Sequence, residues 1–168
     1  HIIFSQTKEI CTNICNEKIM NTSCEKLLGI QIGSKLRFEE HVTSLCKKAN
    51  QKLSALGRLS FLMTFSQRKL ITNSFITSHF SYCPLIWMLH SRKLNTCINK
   101  IHERSLRLVY NDYTSSFNEL LKTSGSSTIH QQNTQILMIE MYKVKTGIAP
   151  KKVNEIFELA NIPYNLRN

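Results

Sequence analysis

The chain has 168 residues, enough for one or two small domains, and 42% of them are hydrophobic, which excludes wholesale disorder. Five glycines and three prolines are too few for a turn-rich β protein and favour long helices. The net charge is +11, and the segment from Lys35 to Val109 carries +10 of it, with 13 Lys and Arg against Glu39, Glu40 and Glu103. Charge so concentrated points to a polyanionic partner.

Residues 1–33 read as strands. His1–Ser5 starts apolar, and Ile10–Ile14 and Lys18–Met20 flank a polar Cys15-Asn16-Glu17 turn, which predicts a hairpin. Lys26–Ile32 is a third run with β-type alternation, in which Gly29 marks a bulge or a close backbone approach. From Phe38 the period becomes helical: Phe38, Val42, Leu45, Ala49, Leu53, Leu56 and Ser60 fall on one face, with Lys47, Gln51 and Arg58 opposite. Ser66 is the expected cap of a second helix, Gln67 to His79, and Pro84 should break the chain after it. The run Leu85–Leu89 is expected to be buried, and Phe80, Tyr82 and Trp87 read as core. Ser91 caps a third helix over Arg92–Tyr110 with Leu94, Ile98, Ile101, Ser105 and Leu108 inward. Ser116 and Glu119 form a capping box for a short helix, Phe117–Lys122. Thr123–Ser127 is the linker candidate, and further helices are expected over Ile129–Lys145 and Val153–Leu159. The sum is an α+β protein, mostly α: a short β-meander followed by a helical bundle and a helical tail.

Chemistry is sparse. Asp112 is the one aspartate, and Glu39 and Glu40, adjacent on a helix, point about 100° apart, so no carboxylate cluster for two-metal phosphoryl transfer is visible. The six cysteines follow no disulfide or zinc spacing and read as reduced, buried small hydrophobes of an intracellular protein. Histidines His1, His41, His79, His90, His102 and His130 read as packing or capping residues. No signal peptide is read at the start. No apolar run reaches the roughly 20 residues of a membrane span. The isolated chain therefore reads as a binding module and not an enzyme. What remains is a basic stripe. Lys93, Lys100, Arg104 and Arg107 fall within about 60° on one helix. Such a stripe is either a solvated face or a phosphate-binding surface.

Four stretches, Cys24–Ser60, Phe75–Asn95, Ile98–Tyr113 and Ile129–Pro150, are similar in content and order to the region after the catalytic motifs of jockey-like non-LTR retrotransposon reverse transcriptases. The resemblance runs from about His1 to Phe157. It implies residues 1–34 as the end of a palm, 35–122 as a helical thumb and 123–168 as a loop and helical extension. Leu27, Leu28, Gly29 and Ile30 would match the primer grip that holds the growing 3′ end. Lys47, Lys48, Arg58, Lys93, Lys100, Arg104 and Arg107 would bind an RNA–DNA template–primer or a DNA duplex. The catalytic aspartates and their Mg2+ belong upstream of His1, so no cofactor, small-molecule substrate or membrane partner is expected for this chain. Its partners would be nucleic acid and the upstream palm and fingers, in nucleus or cytoplasm. Gly33 departs from the family, whose members usually carry aspartate there. The chain, which opens at His1 without an initiator methionine, is accordingly expected to be a piece of a longer polymerase. The competing expectation is a stand-alone helical nucleic-acid-binding or protein-interaction module.

Overall fold

A computed structural model describes residues 12–14, 17–19, 22–88 and 91–154. The described residues begin with two antiparallel hairpins. Strands β1 (Thr12–Ile14) and β2 (Glu17–Ile19) pair with Ile14 opposite Glu17, so Glu17, expected in the turn, is strand. The single strand expected over Lys26–Ile32 is instead the tip of a second hairpin, β3 (Cys24–Leu27) and β4 (Ile30–Gly33), with Leu27 opposite Ile30. The reason lies in Leu28 and Gly29. Both have positive φ, +48° and +87°, the twist that two-residue hairpin turns require. Gly29 adopts this freely, whereas Leu28 does so at a cost of about 1–2 kcal/mol. There is no bulge, but the close approach expected at Gly29 is present. A β-carbon there would lie 3.8 Å from the Tyr82 ring, and the Tyr82 hydroxyl donates to the Leu28 carbonyl at 2.7 Å. Replacing Leu28 by asparagine, which tolerates this conformation, should therefore stabilise the protein by about 1 kcal/mol. A urea midpoint that stays put or falls would show that the leucine side chain contributes more than its backbone strain costs.

Helix α1 (Glu39–Leu59) buries the face its periodicity predicts. Val42, Ala49 and Leu53 are inside, and Phe38, Leu45 and Leu56 pack at the margin. His41 and Cys46 join that buried face. A 3-10 turn (Ser60–Leu62) leads to α2 (Phe65–Thr72), whose cap is Thr64 and not Ser66. Thr64 has Gln67 three residues on, so hydroxyl and amide cap each other's backbone N–H, while Ser66 has Lys69 there, which cannot accept. A π-helical segment, Asn73–Thr77, continues α2 into α3 (Ser78–Ser81). The chain breaks before Pro84 as expected. Cys83 takes φ +45°, and Pro84 opens the one-turn helix α4 (Pro84–Trp87) at a position where a missing N–H does no harm. A single turn can hide only one side. Trp87 and Met88 are buried, but Ile86 and Tyr82 are half exposed, against the expectation that they are core.

Helix α5 (Arg92–Tyr110) has the predicted bounds, although the Ser91 side chain makes no capping hydrogen bond. Its buried residues are Ile98, Ile101, His102, Ser105, Leu106, Leu108 and Val109. After it come α6 (Phe117–Ser124), with the Ser116–Glu119 capping box, and α7 (Ile129–Lys145), which Thr128 and Gln131 cap in the same way. Gly125, at φ +65°, ends α6 by returning its N–H to the Leu121 and Lys122 carbonyls. Thr123 and Ser124 of the linker candidate thus belong to the helix. The last described element, α8 (Lys151–Asn154), starts before the predicted Val153, and the rest of that predicted helix lies outside the described residues. One core unites α1, the π segment, α3, α4, α5 and the start of α7: Val42, Leu53, Phe80, Trp87, Ile101 and Ile129 are all in it. The fold is α+β and mostly α.

His102 is 6% exposed, with its ring edge on Phe117 at 5.7 Å, and its Nδ1 has no partner among the described residues. Burial pushes its pKa down to about 4. The folded protein therefore keeps this ring neutral, while the unfolded chain protonates it near pH 6.5. Between those values the unfolded state binds a proton that the folded state refuses, so stability falls as pH drops from about 6.5 to about 4, by up to about 3 kcal/mol. Urea midpoints at pH 7 and 4.5 should differ less in His102→Gln than in the wild type. Equal acid sensitivity would assign the loss to other groups.

Candidate nucleic-acid interface

Helices α1 and α5 pack side by side and run in the same direction. Cys46 meets the Cys97 thiol, Asn50 Oδ1 accepts from Arg104 Nη1 at 2.7 Å, and a β-carbon at Gly57 would lie 3.6 Å from Leu108 Cδ1. The positions on the two helices rise together, which fixes their relative register. Lys47, one residue after Cys46, thus lies within one turn of the level of Lys100, three residues after Cys97. Arg58 is level with the end of α5. Lys47 and Arg58 fall within about 20° of each other and point away from the buried face of α1.

The structure brings five of the seven expected cations to this seam. Lys47, Arg58, Lys93, Lys100 and Arg104 are all exposed, and none of them makes an ion pair among the described residues. From Lys93 to Arg104 the cations span about 16 Å of helix axis, roughly five nucleotide steps of a duplex. Between the first halves of the two helices runs a groove of about 690 Å³ lined by Glu39, Lys93, Cys97 and Lys100. Glu39 tempers the charge at that end.

The other two cations are placed differently. Arg107 is paired with Glu103 at 2.6 Å and also reaches the Asp112 carbonyl at 3.5 Å, so its charge is partly neutralised. Lys48 lies on the far flank of α1, about 100° from Lys47. Burial first, and then the Lys48 charge, lowers the pKa of His41; burial, then Lys52 and then Lys48, lowers that of His79. Lys52 itself stands over the Phe75 ring at 5.5 Å. Sequence reasoning also overlooked Arg68. Its guanidinium donates to the carbonyls of Val109, Ser60 and Met63, which ties the α1–α2 connection to the end of α5. Nothing in a helical wheel separates such an arginine from a solvated one.

The hairpin tip presents Leu27, Leu28 and Gly29 to solvent, with Leu28 81% exposed, while Ile30 is buried against the body of the fold. Asp112 is occupied structurally. Its carboxylate accepts from the backbone N–H of Thr114 and Ser115 at 2.9 and 3.0 Å and from the Thr114 hydroxyl. The Ser115 side chain first, then the backbone N–H groups of Ser115 and Thr114, hold it far below the usual carboxylate range. Cys46 is buried, and burial together with the Cys97 thiol pushes it up to about 12. Cys83 is exposed, contrary to the expectation of burial, because the left-handed turn before Pro84 projects it outward. Cys11, Cys15, His1 and His90 lie outside the described residues. No helix among the described residues is long and apolar enough to cross a membrane. Comparison of the chain with protein-family profiles, with curated proteins and with solved structures finds no match.

Proposed function

We propose that this chain is the template–primer-binding part of an RNA-directed DNA polymerase of a non-LTR retrotransposon: the end of the palm, the thumb and a helical tail. The supporting observation is the cationic seam, five exposed Lys and Arg on one side of a parallel helix pair, none of which makes an ion pair among the described residues. The polymerase assignment rests on the sequence resemblance, and the binding chemistry rests on the seam. Lys and Arg on rigid helices bind phosphates and release condensed counterions without reading bases. An RNA–DNA hybrid is close to A-form, whose deep, narrow major groove is closed to side chains, so recognition by backbone and shape suits it. The exposed Leu27-Leu28-Gly29 tip would lie against the primer end. This chain supplies no catalytic group on this reading, and metal-dependent chemistry falls to the upstream palm. It would act inside the cell, in nucleus or cytoplasm.

A second reading, a protein-interaction module, draws on α7, whose Ile136, Met138, Ile139, Met141 and Tyr142 are exposed. A salt titration of affinity separates the two. Binding to RNA–DNA hybrid and to DNA duplex should be independent of sequence, with a log–log salt slope of about −4.5, 0.9 for each of the five seam contacts. Absent or salt-insensitive binding would leave only the second reading. An aspartate-bearing palm coded in frame upstream of His1 would separate a polymerase part from a stand-alone binding module.

A further inference from the structure

A cavity of about 260 Å³ opens where the end of α2, the π segment, the second half of α5 and the α6–α7 connection converge, away from the α1–α5 seam. Two of the residues lining it are more than nine-tenths buried and carry polar atoms without a partner among the described residues: Thr72 Oγ1 and His102 Nδ1. Such groups are costly to bury unsatisfied, so two at one cavity point to a polar occupant. We propose that this cavity is a binding site for a small oxyanion, a phosphate or carboxylate group, which Lys69 attracts and which the Thr72 hydroxyl and the His102 imidazole hold by hydrogen bonds. The proposal stands apart from the nucleic-acid reading and does not depend on it.

The sign of the ligand follows from the lining. Among the described residues, Lys69 is the sole charged one lining the cavity, and no acid lines it. Several of the lining polar groups are already committed within the fold. Ser105 donates to the His102 carbonyl, Ser124 to the Leu121 carbonyl, and Ser124 and Ser126 share a bond at 2.6 Å. Gln132 donates to the Ser127 carbonyl. Lys69 offers donors only, the Thr72 hydroxyl can donate, and His102, neutral because burial disfavours its charged form, offers one N–H from whichever nitrogen holds the proton. A cation or a neutral donor-rich ligand would meet a lysine and no carboxylate; an oxyanion meets charge and donors together. The geometry of the wall fits this use. The π segment begins directly after Thr72 and widens the helix at the cavity edge, and π turns of this kind recur at functional sites.

The test follows the His102 ring by NMR in the full chain at pH 7, where inorganic phosphate is titrated to about 50 mM against sodium chloride of equal ionic strength. A saturable shift with phosphate alone is expected. The Lys47/Lys93/Lys100/Arg104 glutamine variant should keep that shift, since the seam lies elsewhere. Lys69→Gln should raise the apparent Kd about tenfold, the effect of losing one charge-assisted hydrogen bond. Thr72→Val should raise it about three- to tenfold. Its melting temperature in chloride should hold or rise, because it removes a hydroxyl that is unsatisfied without the ligand, so this variant carries the test if Lys69→Gln fails to fold. An acetate arm distinguishes the two sources: saturation at lower concentration than phosphate marks a carboxylate site, and the reverse marks a phosphate site. A drift equal to that in chloride, or a saturable shift that Lys69→Gln and Thr72→Val leave unchanged, would overturn the proposal and leave water as the occupant.

Discussion

Replacing Lys47, Lys93, Lys100 and Arg104 together by glutamine is expected to weaken binding to RNA–DNA hybrid and DNA duplex by about 10³-fold at 0.1 M salt. Each phosphate contact adds about 0.9 log units for every tenfold drop in salt. Four contacts therefore account for roughly three to four log units between 1 M and 0.1 M, and the salt slope should flatten by the same amount. The loss should be alike for every sequence, since these residues would touch the backbone only. Thermal stability should change little. All four are exposed and none makes an ion pair among the described residues, and such surface changes stay within about 0.5 kcal/mol each. Arg107→Gln is the informative contrast: its guanidinium is held by Glu103, so it should reduce the slope by less than any of the four. A quadruple variant with an unchanged slope and an unchanged melt would make the seam a solvated face.

Trp87→Ala is expected to be the most damaging single change in the fold. The side chain has no solvent exposure, sits in the common core, and its indole N–H donates to the Tyr82 carbonyl at 3.0 Å. Removing a buried large aromatic costs about 3–5 kcal/mol through lost transfer energy and the cavity left behind. That is a large part of the roughly 5–15 kcal/mol that holds a domain folded. Trp87→Phe keeps a ring and loses the hydrogen bond, and should cost about 1–3 kcal/mol. Urea unfolding of the three proteins gives the comparison. A loss below about 1 kcal/mol for the alanine variant would mean that the core closes without this residue.

The helices were legible because their signals are local. The apolar periods of α1 and α5 and the Ser116–Glu119 box depend on residues three or four apart, so their bounds could be read without knowing any partner. Where local signals competed, the reading slipped: Thr64 took the cap that Ser66 also offered, since only Thr64 had an acceptor three residues on. The hairpin at Leu28-Gly29 was hidden for another reason. A leucine seldom takes positive φ, and here it does so opposite a tyrosine 54 positions away whose hydroxyl binds its carbonyl.

The candidate site divides along the same line. Composition and helical spacing identified a basic protein with Lys93, Lys100 and Arg104 on one face of a helix, because charge count and 100° steps are properties of the chain alone. Tertiary structure decided which cations share a surface. The parallel packing of α1 on α5 sets Lys47 within one turn of the level of Lys100, the twist of α1 carries Lys48 to the far flank, and Glu103 and three backbone carbonyls withdraw Arg107 and Arg68 from solvent. A helical wheel gives the direction of a side chain from its own axis. What that side chain meets depends on the neighbouring helix, and that neighbour comes from a part of the sequence about fifty residues away.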